Sequence, residues 1–189
     1  VGSCEWGITS VISDSDYSVE LRATDLVGNT STDTSDANFT VDRNAPVVPS
    51  NTITSPNGWG IYKGGENIDI LWNNAWISDA GWLASNPITL QYSSDNGSNY
   101  TQISTNEAND WVYSWTLPSI NSSQVLTKLI AIDNVTNSSE DVSDSTFIID
   151  STDPVLDISF AWNGWNTPQN WKYINNSGLN LTLTSSDSY

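Results

Sequence analysis

YSVELRATDLVGNTSTDTSDANFTVDRNAPVV, residues 17–48, reappears without a gap as VLTKLIAIDNVTNSSEDVSDSTFIIDSTDPVL, residues 125–156. The offset is constant at 108 residues, from 17 to 125, and carries the identical pairs Ala23/Ala131, Asp25/Asp133, Asn29/Asn137, Ser35/Ser143, Asp36/Asp144, Phe39/Phe147, Asp42/Asp150 and Pro46/Pro154. A repeat of about one small domain's length marks a chain assembled from copies of one module. Further on, Gly164-Trp165 echoes Gly58-Trp59, and residues 173–184 echo 62–73. The expected organisation is one complete module, 46–153. The C-terminal part of a module (1–45) precedes it, and the N-terminal part of another (154–189) follows. Two arrangements fit: a window on a longer run of modules, or a unit whose tail completes the head of the next copy.

Within each copy apolar and polar residues alternate with period two, and helical periodicity is absent. The alternation predicts strands at about 47–54, 66–72, 88–93, 100–104, 111–117, 125–133 and 145–150. Turn chemistry separates them at Ser55-Pro56-Asn57-Gly58, Lys63-Gly64-Gly65, Ser94-Asp95-Asn96-Gly97-Ser98 and Asn134-Val135-Thr136-Asn137. Asp95-Asn96-Gly97 is the clearest hairpin signal, because Asn and Gly accept the positive φ of a tight turn. Seven short strands in one copy predict a two-sheet sandwich.

Three stretches carry a family resemblance: Ile88-Thr-Leu-Gln-Tyr-Ser-Ser-Asp-Asn-Gly-Ser-Asn-Tyr100, then Tyr113-Ser-Trp-Thr-Leu-Pro118, then the Ala-x-Asp-x-x-x-Asn segment closed by Phe-x-[Val/Ile]-Asp-x-x-x-Pro. Together they resemble bacterial immunoglobulin-like or fibronectin-III-like tandem surface repeats, over essentially the whole chain. The resemblance implies an all-β fold of tandem immunoglobulin-like β-sandwiches. It puts Tyr17 where such folds place a tyrosine corner. The complete copy departs from that pattern, with Val125 for the tyrosine and Thr136 for the turn glycine Gly28. A fold of this kind serves many roles, so function has to come from particular residues.

Five basic residues against 22 acidic ones leave a net charge of −17. Such a chain is repelled by a phosphate backbone and by an anionic membrane surface, which argues against nucleic acid and membrane as partners. It attracts cations. Ten Trp and seven Tyr supply core material despite the polar bias. Histidine is absent and Cys4 is the single cysteine, so neither a Ser-His-Asp or Cys-His set nor a His-rich zinc site can form. Carboxylate pairs such as Asp141 with Asp144, or Asp33 with Asp36, remain. A catalytic dyad repeated in every module would be odd, and the expectation is a protein that is not an enzyme.

Calcium takes six to eight hard oxygens, and the chain offers them in two repeat-related sets. One is Asp25, Asn29, Asp42 and Asn44; the other is Asp133, Asn137, Asp150 and Asp153. Both are similar to calcium-stiffened junctions of cadherin-like and large adhesin repeats. Alternatively, these Asp and Asn side chains bond backbone amides within their own turns. The tryptophans form a second cluster of candidates. Trp72, Trp111 and Trp115 fall on predicted strands. Trp59, Trp76 and Trp82 fall in connections, with Trp162 and Trp165 in the following copy. A loop indole can pack locally, anchor an interface with a neighbouring module, or stack on a sugar ring. The connection 73–87 reads as a short helical turn whose Trp76, Ile77 and Trp82 either face inward or form an outward hydrophobic tip that would mark a contact surface. Taken together, the reading is an extracellular rod, stalk or fibre of a prokaryotic cell surface, with neighbouring modules or copies of itself as partners. Alternatives are a carbohydrate-binding module that takes a surface glycan, and a filament subunit completed head to tail.

Overall fold

The computed structural model of the chain describes residues 3–7, 14–162 and 179–186. Strands make up 51% of it, and the described residues contain no α-helix. No helix of the described residues is long and apolar enough to cross a membrane. The first segment holds β1 (Asp14–Tyr17), β2 (Glu20–Thr24), β3 (Thr30–Thr34) and β4 (Phe39–Val41). The central segment holds β5 (Ile53–Ser55), β6 (Ile61–Lys63), β7 (Asn67–Trp72), β8 (Leu83–Ser93) and β9 (Thr101–Glu107). It continues with β10 (Val112–Thr116), β11 (Ser122–Asp133), β12 (Ser138–Val142) and β13 (Phe147–Asp150), and a hairpin of β14 (Val155–Trp162) and β15 (Leu179–Ser186) follows.

In the central segment, β10-β7-β5 form one sheet, and β6-β13-β11-β8-β9 with β12 form the other. Their inner faces meet in a single core. Ile53, Ile70, Trp72, Trp115 and Leu117 come from the first sheet and the residues flanking it. Ile88, Leu90, Val125, Leu129, Ala131, Phe147 and Ile149 come from the second. This is the layering of a β-sandwich. β11 shows why the chain folds this way. Its inward positions Val125, Thr127, Leu129, Ala131 and Asp133 are all buried, alternating with more exposed neighbours. The last of that row is a carboxylate.

The 108-residue offset is reproduced in strand register and in several side-chain bonds. β2 pairs β3 with Glu20 opposite Thr34 and Thr24 opposite Thr30, as β11 pairs β12 with Lys128 opposite Val142 and Ile132 opposite Ser138. β1 pairs β4 at Asp14/Val41 and Tyr17/Phe39, matching Ser122/Ile149 and Val125/Phe147, with the same irregularity between the two pairs. Ser35 Oγ accepts the Val19 amide at 3.2 Å, as Ser143 Oγ accepts that of Thr127 at 3.2 Å. Asp42 Oδ1 accepts the Asn44 amide at 3.0 Å, as Asp150 Oδ1 accepts that of Thr152 at 2.8 Å.

Two of the buried or turn carboxylates weighed for catalysis are occupied by structural bonds. Asp141 Oδ2 accepts the Ile53 amide at 2.8 Å and so ties β5 to β12. Asp144 Oδ2 accepts the Asn57 side-chain amide at 2.7 Å. Among the described residues every buried side-chain N or O atom has a partner.

Candidate metal centre

One turn design recurs three times. In the turn after β2, the Val27 and Asn29 amides donate to Asp25 Oδ1 at 3.0 and 2.8 Å, and Asn29 Nδ2 donates to Asp25 Oδ2 at 2.7 Å. After β11, Val135 and Asn137 donate to Asp133 Oδ1 at 2.9 Å each, and Asn137 Nδ2 to Asp133 Oδ2 at 2.7 Å. Between β8 and β9, Asn99 closes on Asp95 with its amide at 2.8 Å and Nδ2 at 2.6 Å. Asp and Asn favour such turns because their short side chains reach the backbone two to four residues on. Donors aimed at a carboxylate favour its charged form. The Asn29 side-chain amide, then its backbone amide, holds Asp25 below the usual carboxylate range. Asn99 and then Ser93 bring Asp95 down to about 2.

The Asp133 turn does something its copies do not. Asn137 Nδ2 also reaches across to the linker, 3.1 Å from the Asn44 carbonyl oxygen and 3.5 Å from that of Asp42. The linker's Asp42 meets two other carboxylates at this point. Asp42, Asp79 and Asp133 each present an oxygen within 4.8 Å of the other two. Asp79 is held by the Gly81 and Trp82 amides, which donate to its Oδ2 at 2.7 and 2.8 Å. Asp133 is 1% exposed. Gly81 leaves the room: a Cβ there would lie 2.0 Å from Asp42 Oδ2.

The donor set suits a hard cation. Oxygens bound to one calcium ion at 2.3–2.6 Å lie at most about 4.6–5.2 Å apart, and the three carboxylates, all within 4.8 Å of one another, fall inside that limit. With carboxylates alone and no imidazole or thiolate, the chemistry points to calcium or magnesium and away from zinc. Within 4.8 Å two like charges repel by roughly 3 kcal/mol or more at an effective dielectric of about 20, and a dication would reverse the sign.

The structure regroups the expected ligands. Asp133 and Asn137 come together with Asp42 and Asn44, which belong to the other expected set. Asp25 with Asn29, and Asp150 with Asp153, are not part of the triad. The reason is strand length. Asp150 sits beside the first residue of β11, because Ser122 pairs with Ile149, whereas Asp133 is its last. Twelve residues of strand put the two ends roughly 35 Å apart. The turn after β11 therefore meets the segment Asp42 to Asn44 and lies at the other end of the strand from Asp150. Asp150 and Asp153 instead line a groove of about 260 Å³ with Ile61, Tyr62 and Lys63. Asp79 was missed. It is the single carboxylate of the 73–87 connection, which is the signal that could have found it.

No family model, curated protein or solved structure matches this chain.

The tryptophans divide sharply. Trp72 and Trp115 are buried in the core. Trp59 and Trp82 are 90% and 80% exposed, and Trp76 and Trp111 are exposed as well. Connection 73–87 does carry the expected turn, a 3₁₀ helix Asn74–Trp76, and buries Ile77. Its two indoles do not face inward. Trp82 holds a φ of 119°, a region that L side chains rarely adopt. Trp59 and Trp111 also hold positive φ, 61° and 81°. Trp111 is a residue the alternation had placed on a strand. It precedes β10, and its carbonyl accepts the Trp72 amide at 3.1 Å. The side chain of Trp162 and all of Trp165 lie outside the described residues.

Proposed function

We propose that this chain is a run of tandem immunoglobulin-like sandwich modules from the surface of a prokaryotic cell. Its work is to space and display, as part of a rod, stalk or fibre, without catalysis. The observation that carries the reading is the contact of Asn137 and Asp133 with the linker residues Asn44 and Asp42, which fixes how one module enters the next. Pro46 follows directly and restricts the linker backbone further. Calcium, held by Asp42, Asp79 and Asp133, would bridge the two modules and stiffen the joint. Binding to the folded joint alone would raise stability by mass action. Thermal melting with 1 mM calcium and with excess chelator tests this, and Asp79→Asn serves as the control. The expected result is a higher Tm in calcium that the variant loses; the same Tm in both buffers would refute a stabilising cation.

A second reading rests on Trp59, Trp76, Trp82 and Trp111. These exposed indoles, three of them (Trp59, Trp82 and Trp111) on positive-φ backbone, present flat apolar faces that stack on sugar rings or anchor a protein contact. Retardation of the chain in gels containing neutral polysaccharide, lost in the Trp→Ala variants, would favour glycan display. Equal mobility with and without every polysaccharide would remove it.

A further inference from the structure

Both faces of β11 are rich in apolar residues. The inward row belongs to the core. The alternate row, Leu126, Lys128, Ile130 and Ile132, lies on the outer face of the sheet and is half-buried. Register carries that face onto the neighbouring strands. Val142 of β12 stands opposite Lys128, and Ile148, an outward position of β13, stands opposite Ile61 of β6. An outer sheet face that meets only water is ordinarily polar. The repeat shows that this module tolerates a polar one. At the offset of 108, Leu126, Ile130, Ile132, Val142 and Ile148 answer to Ser18, Arg22, Thr24, Thr34 and Thr40. Over the same stretch the inward positions keep their character, with Leu21 for Leu129, Ala23 for Ala131, Phe39 for Phe147 and Val41 for Ile149. The core accounts for the inner row and not for the outer one. Contiguous apolar surface that the fold does not require marks a contact site.

We infer that this outer face packs against the same face of a second copy of the chain, sheet on sheet about a two-fold axis. Charge, area and composition choose that occupant. The chain carries −17, so copies repel across most of their surface. The charges set into this face are Lys63 and Lys128 against Glu140 and Asp150, and they cancel. Lys128 is satisfied within the face: it bonds both Glu140 carboxylate oxygens at 3.0 Å, and its ammonium sits 4.0 Å from the centre of the Tyr100 ring. A second copy offers the same neutral apolar stripe, as an isologous contact requires. Five adjacent strands, β6-β13-β11-β8-β9, span about 24 Å, and roughly ten residues of strand span about 33 Å. The product, about 800 Å², is what each partner buries in an interface of standard size. Thr89 and Gln91 of β8, opposite Ile130 and Lys128, supply a polar rim beside the stripe. Sheets meeting this way lie about 10 Å apart with their side chains interdigitated.

Pairing through this face rests on the modular reading above but not on calcium. Sedimentation equilibrium of the full chain, from about 5 to about 500 µM in roughly 0.5 M salt to screen the net charge of −17, tests it. The expected mass climbs from one copy of 20.6 kDa to a plateau at two. Ile130→Arg sets the first copy's residue in the middle of the face. It should weaken pairing at least about tenfold, because a two-fold contact loses the side chain twice. Ser114→Arg, exposed on β10 in the other sheet, makes the same change in net charge and should pair like the unaltered chain. Ile132→Thr, again the first copy's residue, should weaken pairing as well, and it supplies the reading if the arginine lowers the urea midpoint. A single-copy mass at every concentration would overturn the inference, as would growth past two copies. Equal weakening in Ile130→Arg and Ser114→Arg would overturn it too, and so would unchanged pairing in both Ile130→Arg and Ile132→Thr. Copies that pair in chelator while melting shows no calcium response would keep this contact and lose only the cation.

Discussion

Replacing Asn137 with alanine isolates what the joint contributes, because the repeat supplies its own control at Asn29. Asn137 Nδ2 donates to the buried Asp133 carboxylate at 2.7 Å and to the Asn44 carbonyl at 3.1 Å. A hydrogen bond to a charged group contributes about 1.5–3 kcal/mol and a neutral one about 0.5–1.5. The loss is therefore about 2–4 kcal/mol, and the burial of Asp133 keeps water from replacing the missing donor. With a urea m-value of about 2 kcal/mol/M, the unfolding midpoint should fall by about 1–2 M. Trp72 and Trp115, both buried, report the transition by fluorescence. Asn29→Ala removes the same clasp from the exposed Asp25 turn, where water substitutes, and should leave that midpoint unchanged. The variant should also let the Asp25 pKa rise, since the Asn29 side chain is the main cause of its depression. An unchanged midpoint in Asn137→Ala, or equal losses at the two positions, would refute the argument.

Gly81→Ala pushes a methyl group into Asp42 Oδ2 and should abolish any calcium response in melting while the core transition in chelator stays put. Leu129→Ala should cost about 2–5 kcal/mol by the same urea assay, since Leu129 is fully buried in the core. Asp141→Ala strands the buried Ile53 amide and should cost about 1–3 kcal/mol. Asp95 should titrate near pH 2 by NMR, and Asn99→Ala should move that midpoint up toward 3.8. Because the folded pKa lies below the ordinary value, whatever stability the Asp95 clasp contributes is complete above about pH 4 and is lost as the pH falls through 2.

The identities at offset 108 were the most legible part of the sequence, since several are bonds or shared inward positions: Asp25/Asp133 with Asn29/Asn137 close turns, Ser35/Ser143 join strands, and Phe39/Phe147 take the same inward position. Alternation alone found β7, β10 and β11. It missed β6, three residues between glycine-rich turns, and β12, whose Ser-Ser-Glu-Asp-Val carries no apolar rhythm. It also started β8 at Ile88, because Asn86-Pro87 reads as a loop. The strand runs through Pro87 from Leu83, and its register with β11 slips there, between Ile88/Ala131 and Leu83/Asp133. The carboxylate triad was partly legible. Residue type and turn position picked out Asp42 and Asp133, but which turn meets which linker depends on the length of β11, a property of the assembled sheet. Nothing in a Gly-Trp pair says whether its indole turns in or out.

The pairing of β6 with β13 has a mechanical consequence. The two strands run parallel, with Ile61 opposite Ile148 and Lys63 opposite Asp150. Bonds from Trp59 N to Thr146 O, Ile148 N to Gly60 O and Gly64 N to Asp150 O hold them together at 2.8–3.1 Å. One strand lies near the chain's entry to the module and the other at its exit. Tension along the chain drags them in opposite directions, so these bonds are loaded in shear and must yield together. An antiparallel hairpin pulled from its open end would instead unzip one bond at a time.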